Sequence, residues 1–218
     1  MTYRQGLLIL FLGVLAFSMG CAPLTERSKG PALSGDVSFC YAIFPVERWE
    51  SVHKVEAAIQ GKAIFTLLGV TRGDPKEDGL HSLLLTPEGF ILLEAEMRDG
   101  KIRILKAIAP FDSPAFTSGL MEDVRLLFLS PKGKPASGGK REDGTCTCLW
   151  ERPDGSSTQI KGSMDLGWRI VRRDEHGDVT REILLNGPFV NGWATHMELR
   201  AFKPASYNLR LTLVQIGP

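Results

Sequence analysis

"HSLLLTPEGFILLEAEMRDGKIRILKAIAPFDSPAFTSGLMEDVRLLFLSP", residues 81–131, carries the decision about the fold. Its first part holds three short β-type runs, separated by Thr86-Pro87-Glu88-Gly89 and by Arg98-Asp99-Gly100, both good turn sequences. Ile91, Leu93, Ala95 and Met97 share one strand face; Phe90, Leu92, Glu94 and Glu96 share the other. Ile102, Ile104 and Ala107 continue the alternation approximately. After Phe111 the apolar period changes. Ser113 is placed to cap a helix with Pro114 at its first position. Phe116, Leu120, Val124 and Leu127 recur at helical spacing, with Met121 and Phe128 beside them, and Pro131 ends the segment. Gly119 weakens the middle by about 1 kcal/mol relative to Ala. The pattern predicts a helix over 114–129, preceded by antiparallel hairpins.

Towards the C-terminus, "KGKPASGGKREDG", 132–144, reads as a polar loop without core potential and as an internal boundary. Beyond it, "TCTCLWER", "TQIKG", "LGWRIVRR", "VTREILL", "THMELRAF" and "YNLRLTLVQI" are β-type runs joined by turns such as "PDGSS" and "DEHGD". Leu209, Leu211, Leu213 and Gln215 share a face, opposite Arg210, Thr212 and Val214. Towards the N-terminus, "AIFTLLGVTR", 63–72, is β-compatible and follows Gly61 closely enough for a hairpin. Residues 45–60 mix two periods: Val46, Trp49, Val52 and Val55 at three-residue spacing, then His53, Val55, Ala57 and Ile59 in alternation. They are read as a helical turn at 46–51 followed by a strand. The expected fold is mainly β with one central helix: an antiparallel, strongly curved sheet or an unclosed β-barrel, forming a single domain over 37–218. One helix against one curved sheet is the simplest way to bury both apolar faces.

The chain opens "MTYRQGLLILFLGVLAFSMGC". Arg4 precedes an apolar run from Leu7 to Phe17, the layout of a secretory signal and too short for a spanning helix of ~20 residues. Gly20 followed by Cys21 resembles a bacterial lipoprotein signal. That resemblance implies cleavage of residues 1–20 and lipidation of Cys21 by a covalent diacylglycerol and an acyl chain. The chain would then be anchored in the membrane, and Ala22, where an Asp would retain it at the inner membrane, favours the periplasmic face of the outer membrane. Residues 21–36, rich in Pro, Gly, Ser and charge, read as a flexible tether. No cofactor beyond the lipid is expected.

Removing residues 1–20 removes one base, Arg4, and no acid, which leaves 25 bases against 25 acids. A neutral total gives no nucleic-acid footprint. With Cys21 lipidated, Cys40, Cys146 and Cys148 remain, so at most one internal disulfide forms, from Cys40 to either Cys146 or Cys148. Cys146 and Cys148 share a strand face but have no neighbouring ligand cluster to complete the four positions of a structural zinc site. The four histidines are scattered, and "SGGKR", 137–141, lacks the register and the Ser or Thr of a phosphate loop. Glu94 and Glu96 read as a solvated strand face. No catalytic residue and no metal site is expected.

The order of lipoprotein signal, tether, β-meander, helix after "PFDSP" and hairpins ending in "YNLRLTLV" resembles the LolA/LolB-like group of lipoprotein carriers and receptors. The resemblance implies an unclosed barrel whose helix is a lid over an apolar cavity for the acyl chains of a lipid or a client lipoprotein. Helix 114–129 would be the lid, with Phe116, Leu120, Val124 and Phe128 facing the cavity. Phe65, Leu67, Phe90, Leu92, Ile102 and Ile104 would line its walls. The receptor of that group has a protruding loop with an exposed Leu, whereas "GDPKEDG", 73–79, is wholly polar. In "NGPFVNGWATH", 186–196, Phe189, Val190 and Trp193 are read as an exposed tip touching membrane or client, or else as residues folded back onto the core. The alternative reading of the whole chain is a lipid-tethered accessory subunit that binds a protein partner.

Overall fold

The computed structural model describes residue 35 and residues 37–59, 62–190 and 192–217. The expected signal, Cys21 and the tether apart from Gly35 lie outside the described residues. Five strands come first: β1 (Trp49–Ile59), β2 (Lys62–Asp74), β3 (Gly79–Leu85), β4 (Ile91–Arg98) and β5 (Lys101–Ala107). The helix α1 (Pro114–Phe128) follows. Then come β6 (Ser137–Lys140), β7 (Cys146–Glu151), β8 (Ser157–Ser163), β9 (Gly167–Arg173), β10 (Val179–Val190), β11 (Trp193–Ala201) and β12 (Tyr207–Gly217). Hydrogen bonding arranges them as one antiparallel sheet of 12 strands in the order β5-β4-β3-β2-β1-β12-β11-β10-β9-β8-β7-β6. The first and last strands therefore pair in the middle of the sheet, as in Val55 opposite Leu211. Among the described residues no ladder joins β5 to β6, so the sheet is unclosed. The chain passes between those two edges through α1.

Turn chemistry explains the hairpin from β4 to β5. Asp99 and Gly100 have φ of 50° and 76°, the left-handed pair that a two-residue turn matched to strand twist demands. Three local expectations are corrected. No helical turn forms at 46–51. β1 starts at Trp49 and turns Trp49, Ser51, His53 and Val55 inward, so the alternating period prevails over the three-residue one. The polar stretch 132–144 contains the edge strand β6, whose Gly138 is buried against Cys148; an added Cβ there would lie 2.8 Å from its Sγ. Ser113 holds the N-cap position of α1 without a side-chain bond, and Thr117 donates instead from Oγ1 to the Phe111 carbonyl at 2.8 Å.

The core lies on the inner face of the sheet, under α1. Leu93, Ala95 and Met97 of β4 are fully enclosed, as are Met121 of α1 and Ile160, Ile170, Ile183 and Leu199 of the second half. Each large side chain so buried contributes about 1.5–3 kcal/mol. Cys40, in a 3₁₀ turn at Ser38–Cys40, forms a disulfide with Cys148, which settles the choice between its two candidate partners. Cys146 remains a buried free thiol. On the outer face, Glu50, Arg72, His81, Glu96 and Arg103 stand side by side across β1 to β5. Two of these neighbours form ion pairs, Arg72 with Glu50 and Arg103 with Glu96. Glu94 accepts from His81 at 3.0 Å, depending on the imidazole tautomer, so both carboxylates of β4 are engaged on the outer surface.

Candidate functional site: an apolar cavity under the helix

Gly119 and Leu120 of α1 roof a cavity of about 390 Å³. Its floor comes from Val55, Ala57 and Ile59 of β1, Phe65 and Leu67 of β2, Leu84 of β3, and Tyr207 and Leu209 of β12. Phe111 and Phe116 stand at one side with their rings edge to face at 5.2 Å. Ile59, Phe65 and Phe116 are large apolar side chains left exposed around it. A smaller slot of about 60 Å³ lies deeper along the same helix, between Val124, Leu127 and Phe128 above and His53, Thr71 and Ser82 below. Val55, Leu84, Leu120 and Leu209 line both spaces. The larger volume falls within the ~300–1,000 Å³ of small-molecule sites, and its lining is predominantly apolar as such sites require.

Local sequence explains the room under the helix. Gly119 has no side chain to fill the space, and a Cβ built there meets nothing within 4 Å. Thr117 and Met121, on another side of α1, are completely buried. The helix is thus seated firmly along one stripe and stands off the sheet along the stripe of Phe116, Leu120 and Val124.

One charged group belongs to the cavity wall, Arg181 of β10. Its Nε donates to Asp123 Oδ1 of α1 at 2.6 Å, its Nη1 donates to the carbonyls of Thr180 and Lys203, and its Nη2 donates to the Tyr207 hydroxyl at 3.4 Å. The Tyr207 hydroxyl donates to the second Asp123 oxygen. Burial pushes the Asp123 carboxyl above the ordinary carboxylate range, an effect the Arg181 guanidinium and Tyr207 hydroxyl oppose. Burial, together with the Asp123 carboxylate, also pushes the Tyr207 hydroxyl up. The knot leaves the cavity wall without an uncompensated charge.

The expected lining residues divide. Phe65, Leu67, Phe116 and Leu120 meet at the larger cavity; Leu120, Val124 and Phe128 meet at the slot. Phe90, Leu92, Ile102 and Ile104 line neither, which corrects their assignment to the wall. Phe90 lies in the turn between β3 and β4, before the first residue of β4, and is 71% exposed. Leu92 is half-buried and packs on the core. Ile102 and Ile104 sit on β5 opposite Met97 and Ala95, packed into the filled part of the core. Of the two readings of residues 186–196, folding back onto the core describes Phe189 and Trp193. Trp193 folds inward, with ring centroids 4.8 Å from Trp49 and 5.8 Å from Phe128, and Phe189 is half-buried against the core. Of the three, Val190 is exposed. The loop "GDPKEDG" is held down by Asp78, which accepts from Arg125 of α1 at 3.2 Å and forms an ion pair with Lys132 at 2.7 Å.

Sequence reasoning missed His53, Asp123, Arg181 and Tyr207. A signal existed for Asp123: it lies three residues after Leu120 and four before Leu127, a carboxylate on an apolar helix stripe. Among the described residues no group of three or more His, Cys, Asp or Glu is placed to hold a metal ion.

This arrangement, an unclosed antiparallel barrel with a helix over an apolar cavity, is the LolA/LolB-like fold. The crystal structure of a LolA superfamily protein from Nitrosomonas europaea superposes with a TM-score of 0.50 at 8% identity, over 81% of this chain and 88% of that one. An outer membrane lipoprotein-sorting protein domain from Vibrio parahaemolyticus gives 0.47 at 8% identity, over 83% and 89%. A DUF1329 family protein from Desulfovibrio piger gives 0.46 at 10% identity, over 80% and 86%. No family profile matches the chain, and no curated protein matches it in sequence.

Proposed function

We propose that the chain is a membrane-anchored, periplasm-facing lipoprotein that holds the acyl chains of a lipid or of a client lipoprotein beneath α1, as a binding protein and not an enzyme. The observation that carries this reading is the 390 Å³ cavity, roofed by the helix and lined mostly by Val, Ala, Ile, Leu and Phe. Moving an acyl chain out of water into such a space contributes ~0.8 kcal/mol for each methylene buried. Ten methylenes would contribute on the order of 8 kcal/mol before the costs of association. The work needs no nucleophile and no general base. The expected diacylglycerol and acyl chain on Cys21 would keep the domain at the outer membrane, on its periplasmic face.

Native mass spectrometry of residues 22–218, exported without the lipid cysteine and purified without detergent, tests the binding. A stoichiometric lipid or acyl mass, lost in a folded Leu120→Asp variant, is expected. A clean apo mass that stays clean after incubation with lipid defeats the reading and favours the tethered subunit with a protein partner. The anchor is tested separately. Cys21→Ser should remove the lipid mass and release the chain from membranes; persistent anchorage would refute it.

A further inference from the structure

Resting on that reading, we infer that the inner slot is a hydrogen-bonding subsite and that the acyl chain it takes carries an uncharged polar group, a hydroxyl, along its length. A slot for plain hydrocarbon has no use for polar side chains, yet His53, Thr71 and Ser82 line this one. His53 is 1% exposed and its Nε2 has no hydrogen-bond partner. Thr71 Oγ1 and Ser82 Oγ lie 3.2 Å apart beside it, each hydroxyl able to donate onward or accept. Across the β1–β2 ladder from Thr71, the buried Ser51 Oγ is also without a partner. Leaving such a group unsatisfied costs ~1–3 kcal/mol, so a ligand atom that reaches it gains selectively.

The chemistry excludes a charged group at this depth. The carboxylate that lines the slot, Asp123, is already engaged by Arg181 and Tyr207. Burial holds the His53 imidazole neutral, with its pKa lowered to about 4. A carboxylate or ammonium group would enter without a counter-ion. A hydroxyl can donate to or accept from Nε2, Thr71 and Ser82, and the slot adjoins the larger cavity, with Leu120 lining both.

The test uses the full chain in lipid nanodiscs, incubated with equal amounts of stearate and a hydroxystearate bearing its hydroxyl at mid-chain. The two acids retained above protein-free discs are quantified after re-isolation. Preference for the hydroxylated acid by about fivefold is expected, the value of one net hydrogen bond. The ratio should fall towards one in His53→Leu and in Thr71→Val, the second of which keeps the side-chain shape. Equal retention of both acids by the wild-type chain overturns the inference and leaves the lipid-binding reading intact, with the slot filled by water. A ratio unchanged in both variants overturns it too. Retention of neither acid defeats the underlying reading.

Discussion

Asp123 of the helix and Arg181 of β10 meet at 2.6 Å in a position where Asp123 is only 2% exposed. This pair fastens the lid helix to the half of the sheet that follows it. Removing one partner of a buried pair strands the other charge, at a cost of about 3 kcal/mol or more. Asp123→Ala should therefore destabilise the fold by that order in urea titrations. Asp123→Ala combined with Arg181→Met should be less destabilised than the sum of the two single changes. Additivity of the two would show that they do not interact.

Gly119 supplies two opposed expectations. Gly119→Ala should stabilise the chain by about 0.5–1 kcal/mol, since the position is helical and the added Cβ meets nothing. Gly119→Phe should fill the space beneath the helix and abolish co-purification of lipid in a folded protein. Retention of lipid by that variant would place the ligand elsewhere.

His53 sets a pH window. Its pKa is lowered by burial from 6.5 to about 4, so between these values the unfolded chain binds a proton that the folded chain does not. The contribution to stability is present above pH 6.5 and is lost as the pH falls towards 4. The urea midpoint should drop across this interval in the wild-type chain and drop less in His53→Leu. Parallel curves would remove His53 as the cause.

The disulfide between Cys40 and Cys148 spans 108 residues of sequence and ties the segment before β1 to a strand near the far edge of the sheet. Chain-entropy arguments value such a crosslink at ~4.8 kcal/mol. Replacing both cysteines with Ser should lower the thermal midpoint by several degrees or more. In the oxidised, folded chain Cys146 should resist thiol reagents until denaturant is added, because it is buried.

The general form was legible in the sequence because it depends on period. The alternation in β4 and the three- and four-residue spacing after Ser113 each name an element without tertiary help. The cavity was legible in its helix half, since Phe116, Leu120, Val124 and Phe128 lie on one stripe. The strand half was less so. Alternation separates two faces but does not say which one turns inward, so Phe90 and Leu92 were assigned to the wall while the inward set of β4 is Leu93, Ala95 and Met97. The ion pair of Asp123 with Arg181 was invisible because its partners lie 58 residues apart, joined by a register that emerges only when the whole sheet forms. Among Asn and Gly, Trp193 reads equally as a displayed or a folded-back side chain, and an indole beside two other aromatic rings gains more by packing than by display.

The pairing of β1 with β12 has a consequence for biogenesis. Val55, Ala57 and Ile59 on one side of this seam and Tyr207 and Leu209 on the other are all walls of the cavity. Hairpins on either flank are local and form early, whereas the seam joins the ends of the chain and forms late. A chain whose β12 has not yet paired with β1 therefore lacks part of the cavity wall, and the cavity is complete only once that seam has closed.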